Sequence, residues 1–135
     1  MTTTSQLAVS PAPTTTQLID HATQHGIRVC WAPPTWHRQA GYADSTIWLR
    51  RDLTDAETRS LLAHEIAHHH MGHTGPQPPE VEERVWEEAA LMLITIDDYA
   101  DAEEVHGWHS PAIAEELGVT REVVSAFRRI LGRIS

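Results

Sequence analysis

The residues best placed to do chemistry lie in one stretch, Leu61 to His70, which contains His-Glu-x-x-His as His64, Glu65 and His68. Four residues make just over one helical turn, so on a helix His64 and His68 share a face and can hold one tetrahedral zinc ion. Glu65 projects beside them, placed to take a proton from a zinc-bound water. Such a site needs a third protein ligand and one open position for water. The neighbouring His69, His70 and His73 pose a blander alternative, a histidine-rich tract with loose metal affinity. The extended zincin spacing would require glycine at position 71 and histidine at position 74. The chain has Met71 and Thr74, with Gly72 and His73 each displaced by one, so His73 is not expected as the third ligand.

The elements that must position these groups are also legible. Thr54 followed by Glu57 forms a capping box, Leu53 precedes it as an apolar staple, and Gly72 is a stop. A helix over about residues 55–72 therefore carries the motif. A second helix is expected from near Glu80 to about Ile94. Its acids Glu80, Glu82, Glu83, Glu87 and Glu88 read mostly as a solvated face. Glu82, however, falls with Trp86, Ala89 and Leu93 at i, i+4, i+7 and i+11, an apolar stripe with Val85 beside it. A carboxylate there is costly unless it is paired or binds metal, which makes Glu82 the candidate third ligand. The competing reading leaves Glu82 half exposed at the helix start, favoured by the helix dipole. Glu83, on a more polar side with Glu87 and Ala90, is the alternative ligand.

The remaining chain sets the frame. Its 135 residues suggest one small domain with an appendage. A formal net charge of −9 opposes nucleic-acid binding by the whole chain. Cys30 is the single cysteine, so there is no disulfide framework, and a reducing, cytoplasmic setting is expected; its apolar neighbours place it in the core. No apolar run approaches a membrane span, and no signal peptide is visible. Residues 1–14 read as a disordered leader of Thr, Ser, Ala and Pro. A helix is expected over 15–25, ended by Gly26. A strand follows at Ile27–Trp31, stopped by Pro33 and Pro34, and then a hairpin with Asp44-Ser45 as its turn. Thr74 to Pro79 is a loop.

After a short acidic helix over Ile96–Val105 and a joint at Gly107–His109, Ser110 and Pro111 predict a helix start, with Ser110 as cap. A turn at Gly118-Val119 and a cap at Thr120 lead into a last helix to about Ile134. Ala114, Gly118 and Val124 have helix-turn-helix spacing, with Ile113, Leu117, Val119 and Phe127 as its core. Arg121, Arg128, Arg129 and Arg133 make the last helix locally basic, so DNA contact through residues 111–134 is one reading. Packing on the catalytic part, or docking of a protein partner, is favoured, because Glu115, Glu116 and the overall charge oppose phosphate contact.

With these residues in view, the chain resembles the ImmA/IrrE metallo-endopeptidases. The resemblance is carried by Leu62 to His69, by Gly41-Tyr42 with Thr46 to Leu49, and by Val81 to Ile94. In that last stretch the usual pattern is Glu-x-Glu-Ala-Asp/Asn, two residues, then Ala-x-x-Leu. It places the first Glu at Glu82, and this chain departs from it at Arg84, Val85 and Trp86. The resemblance implies an α+β fold: a small zincin-like metallopeptidase domain of helices packed on a short β-sheet, with a helix-turn-helix-like C-terminal segment. The expected organisation is a leader (1–14), a zinc metallopeptidase domain (15–106) and the C-terminal segment (107–135). The expected activity is zinc-dependent cleavage of a regulatory protein such as a transcriptional repressor, with Zn2+ on His64, His68 and Glu82 and with Glu65 as general base. Tyr99, His106 and His109 are oxyanion candidates by residue type alone. Two other classes stay open: a catalytically silent zincin-fold binding module, and a DNA-binding regulator acting through the C-terminal helices.

Overall fold

The computed structural model describes residues 12–134, so most of the expected leader, residues 1–11, lies outside them. Thr14, assigned to the leader by composition, caps the first helix. That helix, α1 (Thr15–Gln24), starts with a capping box between Thr14 and Gln17 and buries Leu18 and Ala22. Gly26, at φ +77°, turns the chain into β1 (Arg28–Ala32). Next come β2 (Ala40–Ala43) and β3 (Thr46–Arg50), joined by Asp44 and Ser45 at φ 51° and 56°. Positive φ at both central positions is the hairpin turn whose twist matches that of its strands.

β3 is the middle strand, parallel to β1 and antiparallel to β2, with Val29 and Tyr42 both registered on Ile47. Successive side chains alternate between faces. Ile47 and Leu49 are therefore buried under the helices, while Trp48 turns outward. Cys30 pairs with Trp48 and is only half-buried, because β1 is a sheet edge and not an interior strand.

The central helix, α2 (Asp55–His70), begins with the expected Thr54–Glu57 capping box and gives way to Gly72 at φ +77°. It lies across β2 and β3 between α1 and α3 (Pro79–Leu93). Leu62, Ala63, Ile66 and Ala67 are buried between these neighbours. The chain finishes with α4 (Ile96–His106), α5 (Ser110–Leu117) and α6 (Arg121–Ile134). No helix is long and apolar enough to cross a membrane, among the described residues.

The α5–α6 pair has the expected left-handed Gly118, at φ 68°, and a core of Ile113, Val119, Val124 and Phe127. Its caps differ from expectation. The His109 side chain, not Ser110, accepts from the Ala112 amide. The Thr120 hydroxyl has no hydrogen-bond partner among the described residues; its amide instead donates to Ser60 on α2. α6 packs along α3, and this overturns the solvated reading of Glu87. Glu87 is buried, accepting from Arg129 Nε at 3.0 Å and from Arg133. Arg128 is also engaged internally, donating to the Tyr99 hydroxyl at 2.9 Å and to Ser110 Oγ at 2.6 Å, with its guanidinium over the Trp108 ring.

One buried cation ties these parts together. Arg59, near the start of α2, donates through Nε to the Pro13 carbonyl, through Nη1 to those of Leu117 and Gly118, and through Nη2 to that of Leu93. The last three lie at the C-termini of α5 and α3, where carbonyls lack intrahelical donors and the dipole is negative. Arg59→Met leaves these acceptors without their donor. It is expected to cost about 3 kcal/mol or more, read from urea unfolding of the two proteins side by side.

The Glu87 contacts predict a pH dependence. Hydrogen bonding from Arg133 first, then from Arg129, holds the carboxyl below its ordinary value against the opposing effect of burial. A depressed carboxylate contributes stability that is complete above the ordinary glutamate range and lost as pH falls through the folded value. Glu87→Gln is thus expected to lower the urea midpoint at neutral pH and to shrink the further fall on acidification. Parallel acid-side curves for the two proteins would contradict this.

Candidate metal centre

The capping box phases α2 so that His64 and His68 face α3, with side chains 12% and 9% exposed. From the first turn of α3, Glu82 Oε1 reaches 3.1 Å from His64 Nε2 and 3.2 Å from His68 Nε2. Ligand atoms of a tetrahedral zinc with bonds of about 2.0–2.1 Å stand ~3.3 Å apart, so two imidazole nitrogens and one carboxylate oxygen at these separations fit that ion. Glu83 points to solvent. Of the two adjacent acids, Glu82 faces the histidine pair. Glu65 is buried beside it, with Oε2 3.4 Å from His64 Nδ1, and its carboxylate lies within 4.8 Å of the donor atoms of His64 and His68.

The neighbours of these groups hold them in place. The indole of Trp86, standing where the family resemblance leads one to expect Asp or Asn, stacks on the His64 ring at 4.2 Å and 28°. His73 Nδ1 lies 3.0 Å from His68 Nδ1. When His68 donates that hydrogen, its Nε2 keeps a lone pair toward Glu82, which is the tautomer a metal requires. The Gln77 amide donates to Glu82 Oε2, leaving Oε1 to face the histidines. Burial, then the adjacent His64, lowers the pKa of His68, and this keeps the ring neutral at neutral pH.

The site opens into a cavity of about 250 Å3 that Arg38, Tyr42 and Pro76 also line. Tyr42 holds its hydroxyl 2.6 Å from His69 Nδ1. Sequence reasoning missed Arg38, Tyr42 and His73 as parts of this cavity. Tyr42 carried a signal as an aromatic beside the hairpin turn; Arg38, in an irregular connection, carried none. Tyr99, His106 and His109 lie elsewhere: Tyr99 donates to Glu103, His106 meets Glu116, and His109 caps α5. The histidines of the run face different partners. Successive residues turn by about 100°, so His68 faces Glu82, His69 meets Tyr42, and His70 meets His21.

The geometry sets two adjacent substitutions apart. Glu82→Ala is expected to weaken zinc binding at least tenfold, and Glu83→Ala to leave it within about twofold, since outer-contact losses alone reach 10–100-fold in metal sites. Zinc titration of the two single variants decides this, and the reverse ranking would transfer the ligand role to Glu83.

No curated protein and no solved structure matches the chain significantly. The model of one peptidase family, Peptidase M78, described as the IrrE N-terminal-like domain, matches residues 22–127. That span takes in most of the chain, from the end of α1 through α2 and α3 into α6. The chain therefore belongs to the IrrE N-terminal-like peptidase family.

Proposed function

We propose that the chain is a zinc-dependent endopeptidase whose substrate is a regulatory protein, a transcriptional repressor being the kind the family resemblance favours. The observation that carries this reading is the approach of Glu82 Oε1 to both His64 Nε2 and His68 Nε2, with Glu65 in the wall of the same cavity. Bound there, zinc supplies positive charge that polarises a carbonyl and acidifies a water. His64 and His68, through their Nε2 atoms, and Glu82, through Oε1, would hold it. Glu65 accepts the proton of the attacking water and returns it to the departing amine, which balances the hydrolysis of one peptide bond. Arg38 and Tyr42 bring a permanent cation and a hydroxyl to the cavity, and they serve the negative charge that develops on the carbonyl oxygen.

The cavity's size also supports the class of substrate. A space of about 250 Å3 admits a few side chains of an extended segment, not a folded domain, so the scissile bond belongs in an exposed loop or linker. The α5–α6 pair is better read as a buttress and docking surface than as a DNA reader. Arg128, Arg129 and Arg133 already have partners within the chain, and a phosphate would have to displace them. A repressor substrate and a single cysteine, with no disulfide framework, support a reducing, cytoplasmic setting.

Glu65→Gln tests the reading. It is expected to keep zinc and fold while lowering the rate of cleavage of a candidate repressor by about 10²–10⁴-fold, because the amide cannot act as base. Product masses from wild-type and variant incubations give the measurement. Equal cleavage rates would remove Glu65 from the chemistry. Stoichiometric zinc with no hydrolysis of any partner would favour the silent binding module.

A further inference from the structure

A second group of histidines stands apart from the peptidase residues. His21 and His25 lie one turn apart at the end of α1, and His70 closes α2. Their ligand-capable nitrogens all fall within 4.8 Å of one another. His21 Nε2 and His70 Nε2 are 2.9 Å apart, and the His25 ring is 4.2 Å from that of His21 and 5.1 Å from that of His70. His25 Nδ1 donates to the His21 carbonyl at 2.8 Å, which fixes the tautomer and leaves Nε2 with a free lone pair.

The three rings edge a cavity of about 310 Å3 whose lining includes Glu88 of α3 and the thioethers of Met71 and Met92. His25 and His70 are exposed, so the site has an entry path. This cavity shares no lining residue with the one that holds His64, Glu65 and Glu82. His68, His69 and His70 are consecutive, so one helix end faces both places.

We infer that His21, His25 and His70 form a second metal site, for a borderline divalent ion of the zinc, copper and nickel class. Imidazole ligands select that class over magnesium and calcium, which demand oxygen. A tetrahedral ion needs the His21 and His70 nitrogens to separate only from 2.9 Å to ~3.3 Å, a small ring rotation. Three histidines leave a fourth position for water or for the Glu88 carboxylate. Occupancy would join the end of α1 to the end of α2, and so brace the helix turn from which His68 projects.

Zinc chloride titrated calorimetrically into the chelator-stripped 135-residue chain tests the site. The wild type is expected to bind two equivalents at micromolar or tighter affinity. His25→Ala and His70→Ala, both at exposed positions, are each expected to bind one, with the remaining affinity unchanged within about threefold. His64→Ala with His68→Ala is expected to keep the equivalent that His25→Ala removes. That result would support the second site even if the peptidase reading failed. A wild type that takes one equivalent lost in His64→Ala, or a His25→Ala protein that still binds two, would overturn the inference. Thermal unfolding adds a readout: the second equivalent is expected to raise the wild-type midpoint and to leave that of His25→Ala unmoved.

Discussion

A buried guanidinium held by backbone carbonyls, with Asp55 as a nearby carboxylate, is the constraint on which this fold turns. Arg59 is 7% exposed, and burial lowers its pKa. It remains charged because an arginine is hardly ever deprotonated in a protein. The charge is met by four carbonyls, three of them at helix C-termini. A buried cation is tolerated only where its donors are satisfied. Arg59 therefore specifies where α3 and α5 end relative to α2. With the α3 C-terminus held at the start of α2, the start of α3 lies at the far end of α2, where His64 and His68 are. The distance from Leu93 back to Glu82 is eleven residues, ~16 Å of helix, and it delivers the carboxylate to the imidazoles.

α3 serves two neighbours with one sequence. Glu82 and Glu87 are five residues apart, which on a helix sets them about 140° apart around the axis. One carboxylate meets α2 and the other meets α6. Between them Trp86 lays its indole on His64, and Val85, Ala89 and Ala90 fill the core. An acid-rich helix that looks like a solvated face is thus an inner helix covered on two sides. The cost of burying Glu87 is offset by charge-assisted bonds from two arginines.

The C-terminal pair has the geometry of a helix-turn-helix, and three of the four arginines of its second helix that the sequence singles out are engaged within the chain. Its left-handed Gly118 and its Ile113, Val119 and Phe127 core are what the spacing implies. Arg128, Arg129 and Arg133 of the second helix, however, are taken by Glu87, Tyr99, Ser110 and the Trp108 ring, while Arg121 at its start is exposed. Basic residues counted along a sequence do not measure free positive charge, because pairing is a tertiary event.

The sequence by itself determined the local features, because their causes lie within a few residues. The Thr54–Glu57 box starts α2, Asp44-Ser45 makes a hairpin turn, and i, i+4 spacing puts His64 and His68 on one face. The stripe through Glu82, Trp86 and Ala89 also set Glu82 on a different face from Glu83, since helical phase is a local property. Other features depended on contacts between segments far apart in the chain. Arg59 joins residues 34 to 59 positions away, His70 meets His21 across 49, and Arg129 and Arg133 meet Glu87 across more than 40. No periodicity encodes those partners. Only the packing of α2 between α1 and α3, and of α6 on α3, decided which polar groups were buried and which side chains could satisfy them.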